Sequence, residues 1–149
     1  MNLLLCLLVI RFGASISDSR TSPRNDRLHI SFTNRNADTE TVVWTEGQPV
    51  PVVLKGYITR QWVEAWQALL VTKETGIYRW RPGTAKPEFV IELKGRLPAD
   101  ISDDIDYPIC SVDSTGHKLA VIVSFGLAVI DLPSMKVTFA MTEAQIVTG

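Results

Sequence analysis

The chain has 149 residues, 46% of them hydrophobic and 21% charged, which is enough for one compact domain and too little to predict two. Its formal net charge is −1, so no strong field favours nucleic acid or an anionic membrane surface, and neither is expected as a partner. Cys6 and Cys110 lie far apart and match neither a disulfide framework nor zinc spacing, so the cysteines predict no structural cross-link or zinc site.

The chain opens with an apolar segment, residues 1–13, which contains the run NLLLCLLVI. This run is too short to span a bilayer as a helix and has the length of a signal-peptide core. No Lys or Arg precedes it, however, and Arg11 follows it directly. A cytoplasmic location is therefore favoured. Secretion or periplasmic export is the alternative if residues 2–14 act as a signal peptide, and a truncated buried strand is the structural alternative for the segment.

Residues 14–149 are predicted to form three groups of four short strands, from apolar alternation and β-branched residues bounded by turn residues. The best candidate for a helical turn is Arg60–Leu70, where Trp62 and Trp66 are spaced i, i+4. The predicted strands are Ala14–Asp18, Leu28–Thr33, Thr41–Thr45 and Val50–Leu54; Ile58–Trp62, Ala68–Thr72, Gly76–Trp80 and Glu88–Leu93; and Ile109–Asp113, Lys118–Ser124, Leu127–Asp131 and Lys136–Met141.

The three groups are repeats of one unit. Val42–Gly56 (VVWTEGQPVPVVLKG) and Tyr78–Gly95 (YRWRPGTAKPEFVIELKG) share a strand ending in Trp, a Gly turn, a second strand and a closing Leu-Lys-Gly. Leu127–Met141 keeps the pattern of strand, turn and strand, with Ile130 in place of the Trp. This periodicity predicts an all-β fold of about three four-stranded antiparallel sheets.

Short motifs recur in the predicted units. They are Ser111, Asp113, Gly116, Lys118, Leu119 and Ala120 in the third unit, Ser22, Arg27 and Leu28 more loosely in the first, Trp44 and Trp80 at the strand-closing Trp position, and Asp131 at the position of an Asp that would follow such a Trp. Over Ala14–Met141 these motifs resemble those of the WD40-like β-propeller superfamily. No unit has that family's Gly-His dipeptide or a complete Trp-Asp pair, so the blades are degenerate.

The resemblance implies a partial propeller with blades at roughly 14–56, 57–95 and 107–141. Propellers typically close with about four to eight blades, so three blades form an incomplete ring with an open edge. The chain is interpreted as a fragment of a longer propeller, and self-association of copies to complete a ring is the alternative.

No common catalytic motif occurs in the sequence. His29 and His117 fall in different units, the first as a strand residue and the second in a solvated turn. The acidic residues of the link between the second and third units lack the spacing and central Gly of a calcium loop, so a solvated loop is expected. They are Asp100, Asp103, Asp104 and Asp106.

The tryptophans divide into two pairs. Trp44 and Trp80 occupy equivalent repeat positions and are predicted to pack between blades. Trp62 and Trp66 lie outside those positions and are predicted to form a partner-binding surface. The leading hypothesis is therefore a non-enzymatic scaffold that binds an unidentified protein partner, with no catalytic, cofactor or metal residues. The alternative is a fragment of a propeller enzyme, a hydrolase, lyase or quinoprotein, whose active residues lie in blades outside this chain.

Overall fold

The computed structural model describes residues 15–21, 27–33, 39–101, 105–123 and 126–148. These residues form three antiparallel sheets, each made of four strands that neighbour one another in chain order. The apolar segment 1–13 lies outside the described residues, so the predictions made for it and for Cys6 stay predictions. Within the described part of the chain, no helix is long and apolar enough to cross a membrane.

The first sheet pairs its strands in the order in which they occur, and Leu28 stands opposite Trp44. Thr41, Val42 and Val43 are buried in its third strand, and the Thr41 hydroxyl donates to the carbonyl oxygen of Tyr57 at 2.7 Å. Its strands are β1 (Ser15–Thr21), β2 (Arg27–Thr33), β3 (Thr39–Thr45) and β4 (Val52–Lys55).

The second sheet is centred on a strand that is buried on both faces, Ala68–Lys73, because only Lys73 is partly exposed. A single 3₁₀ turn, Glu64–Trp66, connects its first two strands and occupies the predicted helical-turn region. The strands are β5 (Ile58–Val63), β6 (Ala68–Lys73), β7 (Gly76–Trp80) and β8 (Glu88–Glu92).

The third sheet alternates between a buried face and a more exposed face, as expected for a pleated strand with a period of two. A short helix that the sequence did not predict, α1 (Glu143–Thr148), follows its last strand. The strands are β9 (Ile109–Val112), β10 (Lys118–Val123), β11 (Gly126–Asp131) and β12 (Lys136–Thr142).

Strand register confirms the repeat. In each sheet a leucine of the second strand stands opposite the residue predicted to close the third strand. The closing glycines Gly56 and Gly95 both have positive φ, 80° and 78°, a conformation that glycine adopts without steric cost. The equivalent pairs are Leu28 with Trp44, Leu69 with Trp80, and Leu119 with Ile130.

Contacts divide the chain into two units, residues 1–59 and 60–149. The second unit contains most of the second sheet and all described residues of the third. Its apolar core is continuous across both sheets and includes Leu70, Ile77 and Ile91 from the second and Val121 and Ile130 from the third.

Candidate functional site

The junction of the second and third sheets is apolar in its interior and polar at its edges. Leu93, Leu97, Ile101 and Ile105 extend the core along the link between the sheets, and all four are buried. Cys110 lies in this core at 7% exposure, and burial raises the pKa of its thiol to about 12. The thiol is therefore a packing group and is not activated as a nucleophile.

Gln61 joins the first strands of the two sheets. Its side-chain oxygen accepts hydrogen bonds from the Val112 amide at 2.8 Å and from the Ser111 hydroxyl at 2.9 Å. Its side-chain nitrogen donates to the Val112 carbonyl oxygen at 3.0 Å. The primary amide thus pairs with both backbone groups of Val112 as a neighbouring strand would, and it satisfies these two groups on the edge strand β9.

Arg60 anchors the link that leads into β9. Its guanidinium donates to the Tyr107 carbonyl oxygen at 2.6 Å and to the Thr72 hydroxyl at 3.1 Å. The Tyr107 amide in turn donates to the Glu74 carbonyl oxygen at 2.9 Å. The end of the link is therefore held against the second sheet at both backbone groups of Tyr107, its carbonyl by Arg60 and its amide by Glu74.

A groove of about 420 Å³ lies where turns of the third sheet meet the end of the second sheet. At this end of each sheet, one turn connects the first strand to the second and another connects the third strand to the fourth. Phe89 and Met135 are 55% and 41% exposed, so part of the lining is apolar surface open to solvent. The lining residues are Trp66, Arg79, Phe89, Val90, Gly116, His117, Leu132, Pro133 and Met135.

Trp66 closes one side of this groove. Its indole N–H donates to the Gly116 carbonyl oxygen at 2.9 Å, and its ring packs partly buried against the core. Gly116 has φ +77°, and a Cβ at this position would lie 2.6 Å from the indole nitrogen. A larger residue at position 116 would therefore displace the tryptophan.

Trp62 has a different environment. Its indole N–H donates to a Glu64 carboxylate oxygen at 2.9 Å, and Gln67 donates to the other oxygen at 2.7 Å. Trp62 is not among the residues that line the groove. The structure thus places one of the two predicted tryptophans at the groove, and binding of a partner by either residue stays a prediction.

Two arginines share one carboxylate beside the groove. Arg79 makes a bidentate contact with Glu88 at 2.7 and 2.8 Å, and Arg81 contacts the same carboxylate at 2.8 Å. The hydrogen bond from Arg79, with a further one from Arg81, lowers the pKa of Glu88 to about 2. The cluster carries one net positive charge at neutral pH.

The acidic residues of the family-like motifs serve local turns. Asp113 accepts hydrogen bonds from the Thr115 hydroxyl at 2.6 Å and from the His117 and Lys118 amides at 2.9 Å each. These contacts, led by that from Thr115, lower the pKa of Asp113 to about 2. Asp131 accepts from the amide and hydroxyl of Ser134, which lowers its pKa as well. Both carboxylates are thereby engaged in shaping turns.

No catalytic cluster is formed in the described ranges. His117 is an exposed residue of the groove lining, and within these ranges no group of three or more His, Cys, Asp or Glu side chains could hold a metal ion. Asp103 and Asp104 of the acidic link lie outside the described residues, and so does the His29 side chain. Sequence reasoning missed Gln61, Arg60 and the arginine–glutamate cluster. Only Gln61 gave a signal in the sequence, because it is a polar residue on the strand face that also carries Thr59 and Val63, which are both buried.

Comparison with known proteins gives the fold. The chain is similar to the β-propeller domain of the Trilobed protease from Pyrococcus furiosus, a domain described as having an open velcro topology. The identity is 12% and the TM-score is 0.58, over 89% of this chain and 43% of that one. The chain has a β-propeller-like fold. It is also similar to the acylaminoacyl peptidase of Pyrococcus horikoshii, at 12% identity and a TM-score of 0.61, over 87% of this chain and 25% of the peptidase.

The chain thus spans less than half the length of each of these two structures. No protein-family model matches it, and no curated protein matches it. The comparisons support a propeller without supporting the WD40-like type in particular, since these two structures come from peptidases.

The prediction of a non-enzymatic scaffold is contradicted by this finding, which favours the enzyme-fragment alternative. The error has a physical reason. The prediction relied on the lack of catalytic motifs, but a propeller segment without catalytic groups is also what results when the chemistry takes place in another part of the polypeptide.

Proposed function

We propose that the chain is a segment of the β-propeller of a peptidase-type hydrolase, whose catalytic groups lie outside this segment. The single observation that supports the proposal is the likeness, over nearly the whole chain, to propeller structure from two peptidases. Of the enzyme classes considered from the sequence, this likeness favours a hydrolase over a lyase or a quinoprotein.

In this proposal the three sheets are consecutive blades of a larger ring. The similar chains are more than twice as long as the segment that aligns with this one, which supports further blades or domains in the complete protein. Division into blades at 14–56, 57–95 and 107–141, and the WD40-like character of those blades, are part of the same proposal.

The predicted tryptophans enter the proposal as contacts for a peptide. Trp66 presents an aromatic ring beside exposed Phe89 and Met135, and large aromatic side chains contribute strongly to binding where they can be desolvated. Trp62 lies four residues earlier, in β5, and Trp66 is in the 3₁₀ turn that follows this strand. Replacing either by alanine in the active protein is expected to raise KM for a peptide while leaving kcat unchanged.

Peptidase activity of the native protein tests the proposal. Native protein would be isolated with an antibody raised against residues 39–148 and assayed on N-acetylated and on unblocked chromogenic peptides, with antibody pre-adsorbed on the recombinant chain as the control. We expect hydrolysis by a polypeptide larger than the 16.6 kDa of this chain, and none by the recombinant chain alone. Native protein that hydrolyses neither class of peptide would overturn the proposal.

A further inference from the structure

The third sheet has an apolar face opposite the one that packs on the second sheet. Strand pairing places Ile109, Ile122, Leu127 and Met141 in one row across all four strands. The adjacent row contains Ala120, Val129 and Phe139, with Ser111 at its edge. We call the seven apolar residues of these two rows the open face.

Much of the open face is in contact with solvent. Ile109, Ile122 and Phe139 are 60%, 53% and 44% exposed. By contrast, the neighbours of Ile122 and Ile109 in sequence, Val121 and Cys110, point to the other face and are buried. An array of large apolar side chains on both faces of a sheet is typical of a strand layer covered on both sides and not of a solvent-facing surface.

Repeat register indicates what the open face is built to contact. Leu69 corresponds to Leu119, and Trp80 corresponds to Ile130. Counting along the paired strands from these residues gives three further pairs of equivalent residues in the second and third sheets. Leu70, Ile77 and Ile91 of the second sheet correspond to Ala120, Leu127 and Met141 of the open face.

Those three residues of the second sheet lie in the core that joins it to the third, and each is at most 1% exposed. The third sheet therefore repeats, on its open face, the apolar positions with which the second sheet contacts the third. None of the described residues buries Ile109, Ile122 or Phe139.

We infer that the open face binds a further four-stranded antiparallel sheet of the same polypeptide, packed on the third sheet as the third is packed on the second. Two observations favour this occupant over a second copy of the chain. The open face continues an interface already formed once in this unit, and the similar propeller of P. furiosus has more than twice the length of the aligned segment. The inference relies on the fold and the register, and it stands without the proposed peptidase activity.

Cysteine labelling tests this packing. An Ile122→Cys variant would be made in a Cys6→Ser background, both in the 149-residue chain and in the complete native polypeptide, and labelled with a maleimide. Ser114→Cys, at an exposed turn of the same sheet, is the matched control, and buried Cys110 reports whether the protein is folded. We expect labelling of Ile122→Cys to be at least about tenfold slower in the complete polypeptide than in the 149-residue chain, with Ser114→Cys labelled at the same rate in both.

Equal labelling of Ile122→Cys in both forms would overturn the inference, because no sheet would then cover the face. Protection that appears in the 149-residue chain and rises with its concentration would overturn it in favour of a second copy. A native polypeptide no larger than 16.6 kDa would overturn it as well. None of these readouts depends on hydrolysis, so failure of the proposed activity is distinguishable from failure of the packing.

Discussion

Replacing Gln61 by alanine removes the hydrogen bonds that join the first strands of the second and third sheets. Three bonds are lost, two to the backbone of Val112 and one to the Ser111 hydroxyl. A typical intramolecular hydrogen bond contributes about 1 kcal/mol net, and an orphaned buried group costs about 1–3 kcal/mol. Val112 is only 3% exposed, so its amide and carbonyl are poorly placed to find water instead.

The expected loss is therefore about 3 kcal/mol in the free energy of unfolding. For a chain of this size that corresponds to a Tm lower by roughly 6–12 °C. Urea unfolding followed by tryptophan fluorescence measures the free energy, and calorimetry measures the Tm. Ser111→Ala is the control, because it removes a single bond at an exposed hydroxyl and is expected to cost about 0.5–1 kcal/mol.

Gln61→Glu tests the side-chain N–H donor of Gln61 separately from its oxygen acceptor. The carboxylate keeps the bond from the Val112 amide but faces the Val112 carbonyl oxygen without a proton to donate. Protonation restores a donor, so the pKa of the new carboxyl in the folded state should lie above its unfolded value of about 4.3. The stability of this variant relative to the parent is then greatest below about pH 4.3 and falls as pH rises through the folded-state pKa. An alanine variant within about 0.5 kcal/mol of the parent, or a glutamate variant without this pH dependence, would refute the reasoning.

Three further outcomes are expected. The pKa of Glu88 is lowered from 4.5 to about 2, so its contribution to stability is present above about pH 4.5 and is lost as pH falls towards 2. Urea unfolding curves recorded at several pH values should show this loss in the parent. Glu88→Gln should make the free energy of unfolding depend less on pH between about 2 and 4.5. Trp80 is 2% exposed and Trp44 is half-buried, so Trp80→Ala should lower the free energy of unfolding by about 3–5 kcal/mol and Trp44→Ala by clearly less. Equal losses, measured by calorimetry, would contradict this difference in burial. In a Cys6→Ser background, Cys110 should react with a disulfide reagent at pH 8 only after denaturant is added, because burial raises the pKa of its thiol to about 12. Rapid reaction of the native protein would show that the Cys110 thiol is not buried.

The strands were predictable because their determinants are local. Alternation with a period of two, bounded by turn residues, placed each of the four strands of every sheet within a few residues of its observed position. The equivalence of Trp44, Trp80 and Ile130 followed from the repeat and is confirmed by register. The helix Glu143–Thr148 was missed because a stretch of six residues carries too little periodicity to distinguish it from an irregular end.

The site was less predictable because it depends on which sheet faces meet. Gln61 and Val112 are 51 residues apart, and nothing local to either indicates that they pair. Trp66 was selected because it falls outside the repeat positions, and the structure adds its neighbours in the groove. The functional prediction failed for a different reason, since the lack of catalytic motifs in a propeller-like chain does not exclude a role in an enzyme.

The contact between Trp66 and Gly116 has a consequence for sequence evolution. Glycine is required at position 116 both by its positive φ and by the nearby indole, so two separate constraints act on one residue. If a homologue loses the tryptophan, only the backbone constraint remains, and asparagine becomes acceptable there because it tolerates the left-handed conformation. Among relatives of this protein, positions 66 and 116 should therefore vary together, and such covariation would identify neighbouring sheets in chains too divergent to align by their strands.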